Sequence, residues 1–298
     1  MKTIVMTGAT AGIGLAAAEQ MRQVPNVRLL LGARGKAPTG VESLPLDLAQ
    51  LASVRSFAAR AADGLGEAKI DGLVLNAGVH VGDDPQRTVD GFETTFAVNH
   101  LAHYLLLRLL MPRLASGAVV VITTSNLHDP KTNPFAPPEH ADAERLARGQ
   151  VGLSLKSQVS RTAMRAYATS KLCNLLTARA LASSAFAQER GLRVIAFNPG
   201  LTRGTQLIRH HSLAFRLLIA AIMPILSPVQ RINTLAGGGA LLSNLALGRL
   251  VPPEGRLYAS QVKRRLTWPD PSDLARDNSV MSKLWRDSAV MVGLPEKP

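Results

Sequence analysis

One cysteine, Cys173, stands among 298 residues. No disulfide can close within this chain and no cysteine metal cluster can form, a usage expected of a reducing compartment. Aromatic residues are scarce at 4%, and the arginines are scattered along the chain. Nucleic-acid binders gather charge on one face or interleave aromatic and basic side chains. Specific nucleic-acid binding is therefore not expected, despite a formal net charge of +13. The surplus predicts a basic surface that draws anions in general. No uninterrupted apolar run reaches the roughly 20 residues of a membrane span. The candidate from Leu213 to Val229 is broken by Arg216, Pro224 and Pro228. It reads as an amphipathic helix over a pocket, with shallow membrane contact left open. The opening MKTIVMTGAT passes at once into a β-branched strand pattern, which predicts no cleaved leader and a cytoplasmic location.

What is present is the composition of a globular chain, 46% hydrophobic and 18% charged. Apolar, β-rich runs at Lys2–Thr7, Val27–Ala33, Glu42–Leu46, Gly72–Leu75, Ala118–Thr123 and Arg193–Phe197 predict strands. Helical patterns lie near Gly12–Val24, Ala49–Asp63, Gly91–Met111, Thr162–Glu189 and Gln230–Ala246. Continuous apolar strands joined by helices imply a parallel sheet covered on both faces, hence an α/β, doubly wound (Rossmann) fold. Residues 1–298 read as a single domain. Two segments break the rhythm: a polar, proline-rich insertion at 126–161 and an apolar substrate-lid segment at 201–229. Both are expected beyond the carboxyl ends of the strands, where ligands bind in such sheets.

The first strand runs into Thr7-Gly8-Ala9-Thr10-Ala11-Gly12-Ile13-Gly14 and an alanine-rich helix. Gly8 allows a tight turn, Gly12 lets backbone approach a pyrophosphate, and Gly14 lets helix and strand pack closely. The phosphates then face the positive end of the helix. After the second strand, where an acidic residue would hold a free ribose hydroxyl, the chain has Arg34 and Lys36. Two cations suit a 2′-phosphate and favour NADP over NAD. Asp47, before Leu48, is placed to accept from an adenine amino group. Asn76-Ala77-Gly78 ends the fourth strand and leaves room for adenosine. Pro199-Gly200, with Thr202 close behind, suits a nicotinamide carboxamide.

Tyr167 and Lys171 are four residues apart and share one helical face. A cation about 4 Å from a phenol, in an effective dielectric near 20, offers roughly 4 kcal/mol to the phenolate. That would lower the tyrosine pKa by about three, enough to exchange protons with a carbonyl or alcohol near neutrality. Ser125, just past the fifth strand, can hydrogen-bond the same oxygen. Asn99, polar within an apolar helix, needs a partner, and a water leading to Lys171 is the expected one. His100, His103 and His128 read as structural.

In this order the residues resemble the short-chain dehydrogenase/reductase family over nearly the whole chain. The resemblance implies an NADP-dependent oxidoreductase with the tetrad Asn99, Ser125, Tyr167 and Lys171. The expected reaction is hydride transfer between nicotinamide and a carbonyl or alcohol of a fairly large apolar substrate. Val98-Asn99-His100-Leu101-Ala102-His103 and Ser170-Lys171-Leu172-Cys173-Asn174 are similar to the branch of retinol dehydrogenases and protochlorophyllide reductases. Cys173 falls where the latter have a cysteine, whereas their second, directly after Pro-Gly, is Leu201 here. Reduction of a carbon–carbon double bond and a non-catalytic NADP-binding regulator stay open as alternatives. So does the choice between monomer and homodimer.

Overall fold

In the computed structural model the described residues are 1–35, 37–81, 86–152, 159–202 and 232–296. Lys36 and nearly all of the 201–229 segment lie outside them. The strands are β1 (Lys2–Thr7), β2 (Val27–Ala33), β3 (Glu42–Pro45), β4 (Ile70–Leu75), β5 (Leu114–Thr123), β6 (Arg193–Asn198), β7 (Tyr258–Val262) and β8 (Arg265–Thr267). They form one sheet in the order β3-β2-β1-β4-β5-β6-β7-β8, with only β8 antiparallel. β7 and β8 extend the expected six strands; YASQV and RLT are too short and too mixed to stand out by pattern. The chain reverses its winding between β1 and β4, the switch point at which a doubly wound sheet opens a crevice.

The helices are α1 (Gly12–Met21), α2 (Leu51–Leu65), α3 (Thr94–Phe96), α4 (Ala102–Leu110), α5 (Ala143–Ala147), α6 (Val159–Ala182), α7 (Ala185–Glu189), α8 (Leu235–Ala246), α9 (Asp273–Arg276) and α10 (Asn278–Met291). α1 and α8 cover one face of the sheet around Met6, Leu31 and Phe197. Their approach is close because Gly239 faces Ala16, where a Cβ would come within 2.6 Å of the alanine methyl. α2, α4, α6 and α10 cover the other face around Phe57, Leu73, Leu106 and Leu176.

Three expectations change. The helix expected over Gly91–Met111 is α3 and α4 joined by a π-helical turn at Ala97–Leu101, which carries Asn99. The expected Thr162–Glu189 helix breaks after Ala182, and Ser184 caps α7 by accepting from the Ala187 amide. The insertion is partly ordered by a 3-10 turn at Asn126–His128 and by α5, capped by Asp142. Glu139 ties it to α6 through an ion pair with buried Arg165, 2.5 Å apart. Among the described residues no helix is long and apolar enough to cross a membrane.

Candidate active site

The carboxyl ends of β1, β2, β4, β5 and β6 open onto one cavity of about 1250 Å³. Its floor is the turn after β1. Gly8 and Gly12 have φ of +69° and +59°, a region that favours glycine. A Cβ on Gly14 would lie 1.9 Å from the Gly8 oxygen, and one on Gly8 would lie 2.6 Å from the Ala77 Cα. Gly12 has nothing within 4 Å of such a Cβ and borders the cavity. Two of the three glycines therefore let backbones touch, and the third keeps space for a ligand. No side chain caps α1 and its first turn holds no acid. Its amide donors and positive end are left to whatever occupies the cavity, which fits a pyrophosphate.

Thr10, Ile13, Arg34, Asp47, Leu48, Ala77, Gly78, Pro199, Gly200 and Thr202 all line the same space. Arg34 is exposed at its edge. The Asp47 carboxylate is drawn back into its own turn, accepting from Ala49 N at 3.0 Å and Gln50 Nε2 at 3.4 Å. Asn76 serves as a clamp: its Nδ2 donates to the Gly8 oxygen at 3.1 Å, and its Oδ1 accepts from Thr123 at 3.0 Å. The Pro199–Gly200 turn is held from behind by Asn233, whose Nδ2 donates to Pro199 O at 2.9 Å and to Gln261 O at 3.1 Å.

Ser125, Tyr167 and Lys171 stand together on the cavity wall. Ser125 is set by the 3-10 turn that it caps, its hydroxyl accepting from Leu127 N at 3.3 Å. His128 pins the Ser125 carbonyl, donating from Nδ1 at 2.6 Å, and its Nε2 accepts from Ser272 N at 3.4 Å. Lys171 Nζ lies 5.6 Å from the Tyr167 ring centroid and donates to Thr123 O at 3.3 Å. The expected lowering of the phenol pKa by an ion pair is not found. Both groups are buried, and loss of solvation pushes the Tyr167 phenol up and the Lys171 amine down to about 8. The spacing of four reveals the neighbouring charge but not the burial of the phenol.

Asn99 stands behind the wall. Its Oδ1 accepts from Val79 N at 2.8 Å, and its Nδ2 donates to Val79 O at 2.9 Å and to Ser170 Oγ at 3.0 Å. Protein groups hold its side-chain amide on both ends. His100 and His103 are buried, with pKa values held down to about 3 and about 4 by desolvation, and His128 is shifted the same way. They are neutral structural groups at physiological pH. Sequence reasoning missed His80, which lines the cavity with its ring 5.2 Å from that of Tyr167. It also missed Asn233. A lone polar residue carries no periodic signal, and only the fold brings either to the site.

The comparisons with known proteins agree with this architecture. A family model described as short chain dehydrogenase matches residues 2–134. Human (Homo sapiens) retinol dehydrogenase 12 is 30% identical, with 98% of this chain and 87% of the relative covered. Chloroplastic protochlorophyllide reductase A of Oryza sativa subsp. japonica is 31% identical over 98% of this chain and 80% of the relative. The crystal structure of an uncharacterized protein from Mycobacterium Paratuberculosis superposes with a TM-score of 0.68 at 26% identity, covering 100% of this chain and 96% of that one. The chain belongs to the short-chain dehydrogenase family, a family of oxidoreductases.

Proposed function

We propose that this chain is an NADP-dependent reductase or alcohol dehydrogenase that interconverts a carbonyl and an alcohol on a fairly large apolar substrate. The observation that carries the reading is the convergence of Ser125, Tyr167 and Lys171 on the cavity floored by the glycine turn. A single small ligand typically occupies about 300–1,000 Å³; at about 1250 Å³ this cavity suits a dinucleotide together with a substrate. Val81, Leu127 and Leu201 supply apolar wall.

The glycine turn and the N-terminus of α1 would hold the pyrophosphate, Arg34 the 2′-phosphate, Lys171 the ribose, and the Pro199–Thr202 turn the carboxamide. When bound, the nicotinamide supplies the hydride that no side chain can. Burial keeps Tyr167 protonated, so in the reductive direction its hydroxyl is the proton donor to the substrate oxygen. Ser125 donates a hydrogen bond to the same oxygen and orients it. The Lys171 ammonium, close to the Tyr167 ring, stabilises the phenolate left behind. Asn99 acts indirectly, tying Val79, next to Gly78, to Ser170, next to Lys171.

Consumption of NADPH with a panel of aldehydes, ketones and quinones tests the reading. Tyr167→Phe is expected to lower turnover by about 10²–10⁴-fold while NADPH binding stays near normal; a fully active variant refutes it. Similarity to protochlorophyllide reductases supports a second reading, reduction of a carbon–carbon double bond. Product analysis separates the two, because only carbonyl reduction creates a hydroxyl. Cys173 contributes to neither, being fully buried with its thiol pushed up by desolvation.

A further inference from the structure

Thr7 closes β1 and is fully buried. Its hydroxyl accepts from the backbone amides of Asn76 at 3.0 Å and Ala77 at 3.1 Å, and lies 2.9 Å from His103 Nε2. The other ring nitrogen, Nδ1, is 3.1 Å from the main-chain oxygen of Asn99. A carbonyl only accepts, so Nδ1 carries the proton. Nε2 is then a bare acceptor, and the Thr7 hydroxyl donates to it. Both lone pairs of Thr7 are filled by the two amides, so every side-chain donor and acceptor of Thr7 and His103 is assigned. The network continues through the Asn99 amide to Ser170, the residue before Lys171. At Gly78 a Cβ would stand 3.1 Å from Lys171 Nζ, which shows how little space separates the end of β4 from the ammonium.

We infer that His103 is a positioning residue for the proposed reaction. By holding Thr7 and the Asn99 carbonyl together, it sets the distance between the Asn76–Gly78 segment after β4 and the Lys171–Tyr167 face. The inference rests on the function proposed above. Burial keeps the imidazole neutral at physiological pH, and the nearby Lys171 charge adds to that. The π-helical turn presents the Asn99 oxygen one helical turn before the ring.

Three substitutions separate the two contacts. His103→Asn keeps a donor near the position of Nδ1 and loses the acceptor; His103→Gln keeps an acceptor near Nε2 and loses the donor; His103→Leu loses both. The leucine variant is expected to lose about 10- to 100-fold in kcat, with the carbonyl substrate's KM little changed, and each amide variant to recover part of the loss. A folded leucine variant with the parent's kcat overturns the inference. A second readout needs no turnover: ¹⁵N NMR of the coenzyme-free full chain. The His103 ring is expected as the Nδ1-protonated tautomer, unchanged from about pH 6 to about pH 8. An Nε2-protonated ring, or one that titrates there, overturns it. The two failures are distinguishable. A fully active Tyr167→Phe removes the reaction and leaves the tautomer result standing. An inactive Tyr167→Phe beside an unimpaired His103→Leu removes only the positioning role.

Discussion

Arg34 leaves β2 with its side chain exposed on the cavity wall. An exposed guanidinium contributes little to the fold, so its removal is a clean probe of what it faces. Charge-assisted bonds to phosphate contribute about 1.5–3 kcal/mol. Arg34→Ala should therefore weaken NADPH binding by roughly 10- to 100-fold and leave NADH binding unchanged, as read by fluorescence titration of both. An equal loss for the two dinucleotides would show that the guanidinium does not read the 2′-phosphate. Proton chemistry at the same scale shows where residue type stops being informative. The Tyr167–Lys171 spacing is local and legible, because four residues of helix always bring two side chains to one face. The sign of the Tyr167 shift is not legible, because it depends on how much protein closes over the phenol.

The glycine turn joins one strand to one helix, and its three glycines have separable duties. Gly14→Ala drives a methyl into the Gly8 carbonyl and the Asn76 amide, at 1.9 and 2.6 Å. Overpacking against backbone costs about 1–3 kcal/mol or more, so this variant should melt earlier and bind dinucleotide poorly. Gly12→Ala meets no neighbour, and its cost is the positive φ, about 1–2 kcal/mol. It should stay folded in calorimetry yet bind dinucleotide much more weakly, because the methyl occupies space bordering the cavity. Equal binding by Gly12→Ala and the parent would place the ligand elsewhere. This element was legible because turn, strand and helix follow one another within fourteen residues. The π-helical turn was not, since a one-residue change of hydrogen-bond register leaves hydrophobic periodicity almost untouched. The contacts that hold the Pro199 turn and the His103 ring span 34 and 96 residues, and nothing local announces them.

Over the whole molecule, the carboxyl-terminal segment closes the helical face opposite α1. Tyr104 donates to Trp285 O at 2.9 Å, Arg108 donates to Pro295 O at 2.7 Å, and the His100 ring lies 2.9 Å from Ser288 Oγ. His100 thus joins the π-helical turn to α10, while His103 joins it to the sheet. Both imidazoles are buried, with pKa values of about 3 and about 4 in place of the usual 6.5. Below pH 6.5 the unfolded chain takes up these protons and the folded chain does not, so stability falls with pH until the folded values are reached. At pH 5 each histidine should cost about 2 kcal/mol relative to pH 7.5, about 4 kcal/mol together. His128, shifted in the same direction, adds to the loss. Glu93, whose carboxyl is raised by burial, opposes it, because the folded chain then holds a proton that the unfolded chain has lost. Comparing variants isolates the histidine share. Unfolding free energies from urea titration at the two pH values should differ widely for the parent and by about 2 kcal/mol less for His100→Gln. If the parent and His100→Gln lose the same stability between the two pH values, the ring is not held neutral between the π-helical turn and α10.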